Sequence, residues 1–197
     1  MPLPSLKEQQ EQLRKTYILN AAQDLLREQG FIEMNMDELA STVGTSKATL
    51  YKHFTSKDEL VLNVVIRAME RVESLIETLE SLNPPSPAAA KIKSVIIQGL
   101  EQQAWLSTAR LVGLPSTVRE DARFQEHQRR LRAHLTGLVE SAKKEGDVAK
   151  EHPTHLIVQL IISFFDPAFY AFSEDGRPPA ASSDALIKML FGGIETR

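Results

Sequence analysis

A chain of 197 residues with 23 Lys and Arg against 26 Asp and Glu carries a formal net charge of −3. That excludes a surface coated uniformly in positive charge and leaves room for a local basic patch. Hydrophobic residues at 42% and charged residues at 25% exclude a disordered, collagenous or purely coiled-coil chain, and at this length a core forms without staples. With no cysteine there is no disulfide, no Cys-ligated zinc and no iron–sulfur cluster, which suits a reducing cytoplasm. The opening MPLPSLKEQQEQLRKTY lacks an apolar stretch of signal-peptide length. The most apolar region, Leu156 to Phe172, is short for a bilayer span and is broken by Gln159, Ser163, Asp166 and Pro167. It predicts a helix buried by protein on most sides, in a cytoplasmic protein with no membrane partner.

Nearly every segment repeats at a helical period and none alternates like a half-buried strand. Leu13, Tyr17, Ile18, Ala21, Ala22, Leu25 and Leu26 form a first stripe, with Gly30 as its C-cap. Asn35 offers an N-cap oxygen to a short second helix with Asp37 and Glu38 in its first turn. Gly44 interrupts, and Thr45 or Ser46 caps a third helix from Lys47 to about His53. A long fourth helix starts near Lys57 with the stripe Val61, Val65, Met69, Val72, Ile76 and Leu79. Pro84-Pro85-Ser86-Pro87 ends it. Helical stretches follow at about 88–112 and 118–145, the second closed by Gly146. The apolar stretch 154–172 comes next, then a last helix from about Asp184 to Ile194. The expected fold is all-α with about nine helices.

The segment from Asn35 to Lys57, NMDELASTVGTSKATLYKHFTSK, is the most informative. Two short helices joined by a tight turn containing glycine are the helix-turn-helix pattern. Ala40 is small where the helices must cross, Gly44 admits a backbone angle that a side chain resists, and Leu50 and Phe54 point inward at i and i+4. The outward set is then coherent. Thr45 and Ser46 bring hydroxyls and free N–H groups at a helix start. Lys47, Lys52 and Lys57 bring charge, and Tyr51 brings a phenol. Ala48 is small enough for the helix to approach base edges. Thr45 to Lys57 holds three lysines, one histidine and no acid.

These residues resemble the TetR-type (tetracycline-repressor-like) regulators. The matching stretch runs from about Arg14 to Val65, with Thr49-Leu50-Tyr51-Lys52-His53-Phe54 followed by Ser56-Lys57-Asp58-Glu59-Leu60 similar to that family's recognition-helix signature. It covers about a quarter of the chain. Met34 departs from the Thr or Ser that members often carry there. The resemblance implies a three-helix DNA-binding domain (1–56) and a helical effector-binding and dimerisation domain (57–197). It also implies repression relieved by a small ligand. Carried onto this sequence, it puts Thr45, Ser46, Lys47, Ala48, Tyr51, Lys52, His53 and Lys57 near DNA. Lys47 and Ala48 lie nearest base edges, and Tyr51, His53 and Lys57 lie toward the backbone. His53 has a second role open to it, capping or packing against the first helix.

One recognition helix reads only a few base pairs, so a homodimer on a palindromic operator is expected, its two helices about 34–36 Å apart. Residues 156–165, together with Leu186, Met189, Leu190 and Ile194, place the dimer surface on the last two helices, with Gly192 and Gly193 either permitting close helix contact or, the favoured reading, ending the final one. Trp105, Phe124, Phe164, Phe165, Phe169 and Phe172 supply aromatic surface for an apolar or aromatic effector. Arg110 or His127 would meet a polar group on it. None of the five histidines has a carboxylate three residues before it, and there is no His-Glu-x-x-His, Gly-x-Ser-x-Gly or phosphate-binding glycine loop. An enzyme is therefore not expected, nor a metal or cofactor. The alternatives are an activator of the same family and a helical protein-interaction module whose basic patch is incidental.

Overall fold

The computed structural model describes residues 5–82, 84–103, 114–164 and 182–194. Among these it contains nine helices and no strand: α1 Leu6–Glu33, α2 Met36–Thr42, α3 Lys47–His53, α4 Lys57–Glu80, α5 Ala88–Gln103, α6 Ser116–Arg119, α7 Ala122–Glu145, α8 Thr154–Ser163 and α9 Ser182–Ile194. None is long and apolar enough to cross a membrane.

Two apolar cores share α4. The first gathers Ile18, Ala22, Leu25 and Leu26 of α1, Leu39 and Ala40 of α2, Leu50 and Phe54, and Leu60, Val61, Val64, Val65, Ala68 and Met69 of α4. The second takes Val72 and Ile76 from the far half of α4 and packs them with α5, α7, α8 and α9. Leu60, Val61, Leu62, Val64 and Val65 are all buried. The near half of α4 therefore lacks the single stripe its period suggests, because elements lie on more than one side of it.

The local signals act as their chemistry requires. Ser5 and Glu8 form a capping box at the start of α1. Asn35, Ser46 and Ser56 each cap the helix that follows, accepting from the N–H groups of Asp37, Thr49 and Glu59. Gly146 closes α7 in the left-handed conformation.

Several expectations need correction. Gly30 does break the helical run of α1, at φ 79°, but one more helical turn follows it to Glu33. Leu13 and Tyr17 do not join the buried stripe, being 70% and 58% exposed, and burial along α1 begins at Ile18. The stretch before α7 is split, with α6 a separate single turn and Asp121 capping α7. Helix α8 ends at Ser163, and Leu156 and Leu160 stand 51% and 49% exposed, so within one chain it is not covered on most sides. Gly192 and Gly193 lie inside α9 rather than ending it, and Met189 is 75% exposed while Leu190, Phe191 and Ile194 are buried.

Among the described residues, Lys143 of α7 is a buried cation. Its ammonium donates to the His152 carbonyl at 2.6 Å and to Thr154 Oγ1 at 2.8 Å, which ties α7 to the start of α8.

Candidate nucleic-acid interface

The turn between α2 and α3 is set by one residue. Gly44 sits at φ 66°, where an L side chain is strained. That angle lets Thr45 N–H return to the Ala40 carbonyl at 2.9 Å while Gly44 N–H bonds Ser41 O at 3.1 Å. The chain reverses direction within three residues, and α3 emerges across α2 with Ala40 buried beneath it. Leu50 and Phe54 are fully buried and hold α3 down. Burying an apolar side chain of this size contributes roughly 1.5–3 kcal/mol.

With that face inward, the opposite face of α3 is open. Ser46, Lys47, Ala48, Tyr51 and Lys52 are exposed, and Thr45 is half-buried. Ser46 Oγ is engaged in its cap, accepting from Thr49 N–H at 3.1 Å and lying 2.9 Å from Thr49 Oγ1. His53 is half-buried, its ring tilted against Phe54 with centroids 6.4 Å apart. Lys57 is also half-buried. Its ammonium donates to the Ile32 carbonyl at 3.2 Å and lies 4.5 Å from the centre of the Phe31 ring. Burial lowers its pKa despite Asp58 and Glu33 nearby. Lys47 is held by Asp37 across the turn, Nζ to Oδ2 at 2.7 Å, and that bond raises its pKa.

The structure adds a residue that the motif left out. Lys15 of α1 brings its ammonium 5.7 Å from the centre of the Phe54 ring, on the rim that carries His53. Its spacing of three and seven from Ile18 and Ala22 is the signal that sets it on the flank of the buried stripe.

A polar clasp joins α4, on whose near half this unit is seated, to α6 and α7. Arg123, in the first turn of α7, donates to both oxygens of Glu59 at 2.9 and 2.7 Å and to Asp121 at 3.0 Å. The arginine holds the Glu59 and Asp121 carboxyls below their ordinary pKa values. Thr117 of α6 donates to Asp58 Oδ2 at 2.6 Å. Farther along the same seam, His127 is buried with Nδ1 3.0 Å from Glu73 Oε1, and Arg130 reaches Glu73 Oε2 at 3.3 Å. Apart from the local Arg123–Asp121 contact, these bonds join residues more than fifty positions apart, so no local pattern could announce them.

Of the aromatic and polar residues expected around an effector, Trp105, Arg110, Phe165, Phe169 and Phe172 lie outside the described residues. Phe124 packs against the first core and Phe164 is buried in the second, while His127 lies at the α4–α7 seam. A groove of about 440 Å³ runs along α4 instead, lined by Arg67, Arg71, Ser74, Thr78 and Gln98 among others. Arg67 and Arg71 also bind α1, through Asn20 at 2.7 Å and Gln23 at 3.4 Å.

Comparison with known proteins agrees with this geometry. The model of the bacterial regulatory proteins of the tetR family matches residues 18–64, from the first buried residue of α1 into α4. Over 181 residues the chain is 30% identical to the uncharacterized HTH-type transcriptional regulator YvaF of Bacillus subtilis, covering 86% of this chain and 90% of that protein. A TetR-family regulator from Agrobacterium tumefaciens superposes with a TM-score of 0.73 at 21% identity, over 94% of this chain and 99% of that one. FadR from Bacillus subtilis, solved in complex with stearoyl-CoA, superposes with a TM-score of 0.70 at 18% identity, over 91% of this chain and 99% of that one. A buried Leu50–Phe54 wedge, an exposed cationic α3 and this likeness over nearly the whole length converge: the chain belongs to the TetR family of bacterial regulatory proteins and is a helix-turn-helix transcriptional regulator.

Proposed function

We propose that this chain is a cytoplasmic homodimeric repressor that binds a palindromic operator through α3 and leaves it on binding a small apolar or aromatic effector. One observation carries the DNA side: Ser46, Lys47, Ala48, Tyr51 and Lys52 share the open face of a helix whose other face is pinned by Leu50 and Phe54. In this reading residues 1–56 form the DNA-binding unit, seated on the near half of α4, and residues 57–197 bind effector and dimerise. Lys47 and Ala48 read base edges. Thr45, Ser46, Tyr51, Lys52, His53 and Lys57 meet the backbone, and Lys15 widens the phosphate footprint from α1. Phosphate contacts fix register, and base contacts carry sequence information.

The dimer forms through α8 and α9. Leu156, Leu160 and Met189 are large apolar side chains left open to water in one chain, and a second copy would cover them. For the effector, the stearoyl-CoA bound to FadR supports an apolar class, as does the aromatic content of the second domain. Release then needs only a ligand that prefers a conformation whose two α3 helices are wrongly spaced. A tenfold loss of operator affinity takes about 1.4 kcal/mol of differential binding.

Selection of bound sequences from a random duplex pool tests the reading, and recovery of a palindrome is the expected result. Lys57→Ala should then weaken binding to every duplex and reduce the salt slope by about one unit, whereas Lys47→Ala should change the preferred sequence. A wild-type chain that retains no duplex in low salt overturns the proposal.

A further inference from the structure

Between Met34 and Lys57 the only acids are Asp37 and Glu38, both in the first turn of α2. They point to different partners. Glu38 is drawn back to α1, its Oε1 accepting from Gln29 Nε2 at 2.7 Å. Asp37 reaches forward to α3, its Oδ2 accepting from Lys47 Nζ at 2.7 Å. Both members of that second pair stay open to water, with 48% of the lysine and 62% of the aspartate side chain exposed. The Asp37 carboxylate is not needed to cap α2, because Asn35 Oδ1 already accepts from the Asp37 N–H at 2.9 Å. An exposed carboxylate on an element that faces a polyanion works against binding unless it does something else there.

We propose that Asp37 is a specificity-determining residue of the DNA interface, its carboxylate competing with the duplex for the Lys47 ammonium. This rests on α3 being the recognition helix. In helix-turn-helix docking the first of the two helices crosses the sugar–phosphate backbone and the second enters the major groove. On a sequence with no acceptor in the right place, Lys47 stays with Asp37, the pair is neutral and it displaces no counterion. On a sequence that offers an acceptor edge such as guanine O6 and N7, Lys47 leaves the carboxylate for the base. Asp37 therefore holds down affinity for wrong sequences more than for the right one, which is discrimination by an opposed interaction. Glu38, already occupied by Gln29, has no such effect.

The test uses the full-length protein, the duplex recovered by selection and a scrambled duplex, with affinities followed by anisotropy across a salt series. Asp37→Asn keeps size and frees Lys47 for phosphate. It should steepen the salt slope on scrambled DNA by about 0.9, which is about eightfold tighter binding at 0.1 M salt relative to the 1 M extrapolation. The gain on the selected duplex should be smaller, so the ratio of affinities falls. In a Lys47→Ala background the same change should leave that ratio unmoved, and Glu38→Gln should leave it unmoved in the wild type. Asp37→Ser repeats the test if the asparagine variant melts early. An unchanged ratio in Asp37→Asn, or an equal change with and without Lys47, overturns the competition while α3 remains the DNA-binding helix. A wild-type chain that retains neither duplex removes both readings together.

Discussion

Replacing Arg123 tests how firmly α4 is held at the boundary between the two cores. Its guanidinium makes a two-pronged pair with Glu59 at 2.9 and 2.7 Å and a second contact with Asp121. Hydrogen bonds to charged groups contribute about 1.5–3 kcal/mol when sheltered, and exposed ion pairs about 0–1 kcal/mol. Here the glutamate side chain is 27% exposed and the arginine 50%, so the pairing should be worth about 1–1.5 kcal/mol, between those limits. Arg123→Ala should lower the thermal midpoint by about 2–6 °C at this chain length. A double-mutant cycle with Glu59→Gln should return most of that energy as coupling. The effect should also depend on pH with a definite sign. Hydrogen bonding to Arg123 is the main cause of the depressed Glu59 pKa. Its stabilisation is therefore fully present above the ordinary glutamate range and is lost as pH falls through the lower folded value. Denaturation of wild type and Arg123→Ala should differ at neutral pH and converge in acid. A coupling near zero, or a difference that grows as pH falls, would refute the idea that this clasp holds α7 to the near half of α4.

Two further outcomes are expected. Gly44→Ala adds a Cβ that meets nothing within 4 Å, yet the residue sits at φ 66°. The cost should be backbone strain of about 1–2 kcal/mol, read as a lower urea midpoint, and an unchanged midpoint would contradict the angle. Leu156→Glu combined with Leu160→Glu should convert a dimer to a monomer by light scattering without lowering helix content, since both side chains are exposed in the single chain. Persistence of the dimer would move the interface elsewhere.

The α2–turn–α3 unit was legible because its information is local. A capping oxygen acts on an N–H two or three residues away, Gly44 is required by a backbone angle at one position, and Leu50 and Phe54 share a helical face by spacing alone. The bounds of α3 and α2 followed from those signals, and so did the outward set of α3. The same logic overreached on α1. A helical period assigns Leu13 and Tyr17 to a stripe, but whether another element lies over that stripe is not a local property. Likewise the period of α4 names one buried face, and the packing covers more.

Sequence alone, then, determined the all-α class, the helix-turn-helix and the polarity of α3, since each depends on interactions within about four residues. Tertiary structure decided which cations are free and which are held. Lys47 is claimed by Asp37 ten residues away, Lys57 by the Ile32 carbonyl and the Phe31 ring, and Arg123 by Glu59 sixty-four residues away. A charge finds its partner by distance in space, and the chain's path through two cores on one shared helix sets that distance.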